Sequence, residues 1–259
     1  MNNIIPKTEW IKTWSENGVG WIQLNHENKL NPLSASFILA IKDAAKRFDN
    51  DPSIGCIVLI GSEKAFAAGA DLKEMIKLNY ASVTESRYIE NGWLDIPKIQ
   101  TPIIAGVKGY ALGGGLELAL SAHIRVASKN SKLGLPEVSL GVIPGYGGTQ
   151  RLTNLVGKGR AMEYILTAKM IGVEDAKYSG LINEYCELEE LLPTCENIAK
   201  KIIKNSPRAI SKAIKCINAS LKNERGFETE IEEFGKCFQT DDFVEGTTAF
   251  LEKRKPKYN

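Results

Sequence analysis

The sequence predicts an α/β core followed by an all-helical C-terminal quarter, on three observations. Strand, turn and helix signals alternate from about residue 10 to residue 186. From about residue 187 the strand signals stop, and the remaining apolar residues recur only at helical spacing. No linker rich in Pro, Gly or Ser divides the chain, and no fixed-period repeat is present, so residues 187–259 read as a helical subdomain appended to a core at 1–186.

The elements follow in order. Residues 10–15 and 19–25 alternate apolar and polar side chains around Glu16-Asn17-Gly18, the pattern of a β-hairpin with Gly at a positive φ. Ser34 is placed to cap a helix whose Phe37, Ile38, Ile41, Ala44, Ala45 and Phe48 share one face. A buried strand at 55–60 follows, then a Gly/Ala-rich segment, a helix over 82–94 and a second buried strand at 102–107. That strand leads into Gly113-Gly114-Gly115 and a helix over 116–122. Short apolar runs at 124–127, 133–135 and 181–185 read as further strands, with helices near 148–156 and 159–168 between them. The C-terminal helices are expected at 188–204, 207–221, 229–238 and 242–253.

Composition narrows the function. The chain has 259 residues, 43% hydrophobic and 25% charged, which excludes disorder and collagen-like repeats. Its formal charge of +2 supplies no field that would make nucleic acid or an anionic membrane the main partner. No apolar stretch approaches the ~20 residues that cross a bilayer, and the first residues lack a targeting pattern, so the cytoplasm is the expected location. Five cysteines without a C-x-x-C pair indicate neither a disulfide framework nor a zinc site, and no metal is expected. With only His26 and His123 available, and an exposed or core role expected of each, acid–base chemistry falls to carboxylates.

Three glycine-rich segments, around Gly69, Gly113 and Gly145, let another molecule approach the backbone closely. A phosphate loop fails because Gly157-Lys158 is followed by Gly159, and a dinucleotide fingerprint fails because Gln150 or Leu118 stands where the last Gly belongs. Nicotinamide and ATP are therefore disfavoured, and no cofactor is expected. Glu117, just past the triple glycine, and Glu137, after Pro136, are isolated acids in uncharged surroundings. Desolvation lifts such carboxyls toward neutrality, as paired acid–base work requires.

These segments also carry a resemblance. Lys64-Ala65-Phe66-Ala67-Ala68-Gly69-Ala70-Asp71-Leu72-Lys73, then Gly109-Tyr110-Ala111-Leu112-Gly113-Gly114-Gly115-Leu116-Glu117, then Pro136-Glu137 and Pro144-Gly145-Tyr146-Gly147-Gly148-Thr149-Gln150-Arg151, resemble the successive signatures of the crotonase family, specifically its enoyl-CoA hydratases. The resemblance runs from about residue 19 to residue 255. It implies a spiral ββα core, a C-terminal helical trimerisation region, a homo-oligomer built as a trimer or a hexamer of two trimers, and an acyl-CoA substrate. It further implies an oxyanion hole from the backbone N–H groups of Ala70 and Gly114, catalytic carboxylates at Glu117 and Glu137, and substrate contacts from Ala68, Asp71, Leu72 and Lys73. Gly145 matches a position whose backbone helps orient the second glutamate, Lys253 one near a CoA phosphate, and Tyr88, Trp93 and Phe250 are available to wall an acyl tunnel. The sequence departs from the family at His26-Glu27, where Lys29 is a partial replacement for a missing Arg-Pro. The expected reaction is reversible hydration of a trans-2-enoyl-CoA, as in β-oxidation. A single-glutamate Δ3,Δ2-enoyl-CoA isomerase, or a non-catalytic CoA- or RNA-binding relative, is the alternative.

Overall fold

The computed structural model describes residues 6–28, 30–62, 64–84, 89, 92–220 and 226–258. Its first hairpin joins β1 (Ile11–Glu16) to β2 (Val19–Leu24) antiparallel through Asn17 and Gly18. Both turn residues have positive φ, 51° and 77°, the geometry whose twist matches that of the flanking strands. The helix α1 (Ala35–Asp49) starts where the Ser34 side chain accepts from the Phe37 N–H, and its stripe of Phe37, Ile38, Ile41, Ala44 and Ala45 is buried as the spacing predicts.

The rest of the core runs β3 (Cys56–Ile60), β4 (Ala65–Ala67), α2 (Leu72–Met75), α3 (Tyr80–Thr84), β5 (Ile103–Val107), β6 (Tyr110–Leu112), α4 (Gly114–Ser121), β7 (Ile124–Ser128), β8 (Lys132–Gly134), α5 (Gly148–Val156), α6 (Lys158–Leu166), α7 (Val173–Tyr178) and β9 (Glu184–Cys186). The C-terminal helices are α8 (Leu191–Ile203), α9 (Pro207–Ser220), α10 (Gly226–Cys237) and α11 (Asp241–Leu251).

Two sheets result. The larger has the order β1-β2-β3-β5-β7-β9, parallel after the first pair, and the smaller is the parallel trio β4-β6-β8. Each successive strand pair, β3–β4, β5–β6 and β7–β8, gives its first member to the large sheet and its second to the small one. The chain therefore advances as a spiral of ββ turns, the helix α4 completing the second.

The large sheet is buried on both faces, so β3 and β5 read as continuous apolar runs rather than alternating ones. Alternation still sorts their side chains. Ile57 and Leu59 join the main core with α1 and α4, while Cys56, Val58 and Ile60 face Leu191, Cys195 and Ala199 of α8. The boundary drawn at residue 187 thus separates α8 from the sheet it covers, because its buried stripe belongs to the core while α9 and α10 pack mainly on each other.

The helix expected over 82–94 is shorter among the described residues. Its residues 82–84 fall in α3, and at its far end the chain turns at Gly92, whose φ is 101°, so that Trp93 and Ile96 enter the core. Residues 85–88, 90 and 91 of that expectation lie outside the described residues. No helix among the described residues is long and apolar enough to cross a membrane.

Candidate active site

All three strands of the small sheet run parallel, with Ala67 opposite Ala111 and Leu112 opposite Gly134, so the chain leaves them at one common edge. Ala70 follows β4, Gly114 and Glu117 follow β6, and Glu137 follows β8. Ligand sites of parallel sheets form at this carboxyl edge, where helix N-termini and strand ends converge.

Close approach is what the triple glycine provides. Gly113 has φ 50° and ψ −126°, a conformation reserved for glycine, and a Cβ on it would lie 3.0 Å from a Glu137 oxygen. A Cβ on Gly114 would lie 3.2 Å from the Ala70 nitrogen, so these two backbone N–H groups are neighbours. On Gly115 it would fall 1.9 Å from the Ala67 carbonyl oxygen, which is how tightly α4 seats against β4. Among the described residues no backbone carbonyl outside α4 accepts from the Ala70 or Gly114 N–H.

The two carboxylates differ in their surroundings. Glu117, in the first turn of a wholly buried helix, is 1% exposed, and its Oε1 accepts from the Tyr146 N–H at 2.7 Å and the Gly148 N–H at 2.8 Å. Burial pushes its pKa up, while those two N–H groups and the Arg151 guanidinium oppose the rise by favouring the charged form. Both side-chain oxygens of Glu137 are buried without a hydrogen-bond partner among the described residues. Burial, with the neighbouring Glu117 charge, raises the Glu137 carboxyl to about 7. Both carboxyls are thus raised by burial, but only Glu117 has hydrogen bonds and a cation that support its anion, and such a difference in surroundings suits a base and an acid sharing one site.

Both face a cavity of about 700 Å³. Its wall is mostly apolar, with Met75, Leu78, Val83, Leu140, Val142 and Ile143 prominent. Of the residues singled out in the sequence, Ala68, Ala70, Leu72, Gly114, Glu117, Glu137 and Gly145 all line this cavity. Asp71 instead caps α2, its carboxylate accepting from the Lys73 N–H at 2.9 Å, and neither of these two side chains is part of the wall. Phe250, 82% exposed, and Lys253, just beyond the end of α11, do not line the cavity of this chain either. Trp93 sits behind the wall, its ring stacked 4.2 Å from that of Tyr146. Tyr88 and Lys29 lie outside the described residues.

His26 is not the exposed loop residue expected. It is buried against Trp10 with ring centroids 4.1 Å apart, and its Nδ1 accepts from the Asn28 N–H. His123 is partly buried as expected but only half satisfied, its Nδ1 accepting from the Ile103 N–H at 2.9 Å while its buried Nε2 has no partner among the described residues, and burial lowers its pKa to about 4.

Sequence reasoning missed the groups that hold Glu117. The peptides of the 144–148 loop serve the first glutamate through Tyr146 and Gly148, whereas Gly145 makes no hydrogen bond to the second. The signal was present in Gly147-Gly148. A Cβ at Gly148 would lie 2.8 Å from Glu117 Oε1, and Gly147, at φ 102°, would collide with the Arg151 guanidinium.

Comparison with known proteins agrees along nearly the whole chain. Residues 15–259 match the family model described as enoyl-CoA hydratase/isomerase. The mitochondrial enoyl-CoA hydratase of Pongo abelii is 42% identical over 249 residues, covering 95% of this chain and 86% of that protein. The short-chain-enoyl-CoA hydratase of Clostridium acetobutylicum is 38% identical, covering 98% of this chain and 97% of the other. Among solved structures, the enoyl-CoA hydratase of Bacillus anthracis superposes with a TM-score of 0.89 at 35% identity, over 96% of this chain and 98% of that one.

Proposed function

The chain belongs to the enoyl-CoA hydratase/isomerase family, and we propose that its reaction is the reversible syn hydration of a trans-2-enoyl-CoA to a 3-hydroxyacyl-CoA. The observation that carries this reading is the pairing, on one apolar cavity, of a glutamate held by two N–H groups with a second glutamate raised to about 7. Moving a proton within a substrate needs one such group, whereas adding water across a double bond uses two.

In this reading the thioester oxygen accepts from the Ala70 and Gly114 N–H groups, which draws electrons from the conjugated double bond and leaves C3 open to attack. Each donor contributes roughly 3–4 kcal/mol of barrier reduction in sites of this type. Glu117 takes a proton from water as the new C3–O bond forms, and the negative charge passes to the thioester oxygen. Glu137 then delivers its proton to C2, and exchange with solvent restores the starting charges on both acids. The protein's own groups carry every step, so no cofactor or metal is invoked. We also assign to this chain an acyl-CoA as its small-molecule partner and a homo-oligomeric assembly.

A spectrophotometric hydration assay over a series of enoyl-CoA chain lengths tests the proposal. Turnover of 2-enoyl substrates that is lost in Glu117→Gln is the expected result. Activity confined to a 3-enoyl substrate and surviving that substitution would replace hydration with isomerisation.

A further inference from the structure

Arg151 lies in α5, one turn beyond the loop that holds Glu117, and it does not line the cavity. Its Nη1 donates to the Tyr146 carbonyl at 2.8 Å. The same Tyr146 presents its N–H to Glu117 at 2.7 Å, so one residue is gripped from both sides, by the guanidinium at its carbonyl and by the carboxylate at its nitrogen. Gly147 has no side chain where one would lie 2.3 Å from Nη1, and its φ of 102° folds the loop over the guanidinium. The guanidinium and Glu117 attract one another across this peptide without touching.

We propose that Arg151 is the positioning residue of Glu117. By fixing the Tyr146 carbonyl and supporting Gly147, it makes the Tyr146 and Gly148 N–H groups converge on one oxygen, and its charge balances the carboxylate through the loop. The assignment of Glu117 as base rests on the hydration reading, whereas the coupling between Arg151 and Glu117 does not.

Other charged and titratable groups near Glu117 do not substitute for Arg151. The turn after β8 presents Glu137, a like charge. Asp71 of the β4–α2 segment lies outside the cavity wall with its carboxylate committed to the Lys73 N–H, and the loop itself presents the Tyr146 phenol on a ring stacked with Trp93. Among the described residues, Arg151 is the cation that acts on Glu117.

The test uses the full chain with Arg151→Gln and Arg151→Lys, each checked for folding by thermal unfolding. In Arg151→Gln, kcat is expected to fall about 10–100-fold with little change in KM, as expected when a base is misplaced by a fraction of an ångström. Its acid limb, where Glu117 takes up a proton, should move upward by about one pH unit because an opposite charge has been removed. Arg151→Lys should keep the limb near its wild-type position while recovering only part of kcat, since lysine retains the charge but not the fork. A folded Arg151→Gln with an unmoved limb overturns the proposal, whether or not kcat falls, and so does an Arg151→Lys limb displaced as far as that of Arg151→Gln. Infrared titration of the carboxyl groups, with Glu117→Gln identifying the band, reads the same shift without turnover. If the wild type hydrates no enoyl-CoA but Arg151→Gln still raises the Glu117 titration, the hydration reading fails and the positioning role stands.

Discussion

At the scale of single residues, the two glutamates share a side-chain type and differ in what surrounds the oxygens. Replacing either with Gln keeps volume and removes one proton-transfer group, so each variant should fold and lose about 10²–10⁴-fold in turnover. If the two serve one turnover as proposed, the double variant should lose less than the product of the two, and steady-state kinetics of the three proteins reads this directly. The unpartnered Glu137 also affects stability, and its sign can be worked out. Its carboxyl titrates at about 7 in the folded chain against an ordinary value of 4.5, so between these values the folded state holds a proton that the unfolded state has released. Stability therefore falls as pH rises through this window, and the penalty is fully present above 7. Glu137→Gln should raise thermal stability at pH 8 by roughly 1–3 kcal/mol, the lower part of that range reflecting partial solvent access, and leave it unchanged at pH 4. A gain of equal size at both pH values would assign the effect to packing.

At the scale of elements, the position of α4 decides where both the Gly114 N–H and Glu117 point. Gly115→Ala forces a methyl group against the Ala67 carbonyl, so α4 must back away from β4, at about 1–3 kcal/mol and with loss of activity. Gly159→Ala makes the converse case. It lies in α6 with nothing within 4 Å of a new Cβ, and should gain about 0.5–1 kcal/mol with activity intact. Chemical unfolding of both proteins, beside their activities, checks the pair. The elements also show what the sequence made legible. The hairpin, α1, β3 and β5 were evident because each buries a face or a run long enough to leave a period. The small sheet was only partly evident, since β4 and β6 span three residues each and alternation over Ala-Phe-Ala or Tyr-Ala-Leu is too short to read. Glu117 and Glu137 stood out as acids without charged neighbours. Tyr146 and Arg151 did not, because their roles pass through a backbone carbonyl and a loop conformation that composition does not record. His26 misled for a related reason, since its burial depends on Trp10 and Phe37 arriving from separate elements.

At the scale of the whole molecule, the apolar surface is unevenly distributed. Phe227, Ile231, Phe234, Phe250 and Leu251 of the C-terminal helices are all more than half exposed on the single chain. A surface of this kind is usually covered by a partner. Identical chains assemble with closed symmetry, and the family resemblance makes a trimer or a pair of trimers the expected form. Light scattering should give three or six times the 28.5 kDa chain mass, and an active protein of one chain mass would refute the assembly. Within each chain, the site draws one part from each turn of the spiral: Ala70 from the first, Gly114 and Glu117 from the second, Glu137 from the third. All three turns line the one cavity, so a bound ligand touches three segments far apart in sequence. None of them can peel away while it stays. Occupancy is thus linked to the lifetime of the entire core, worth about 2.7 kcal/mol at a hundredfold excess over the dissociation constant. A ligand-saturated chain should therefore resist added protease longer than the same chain left empty.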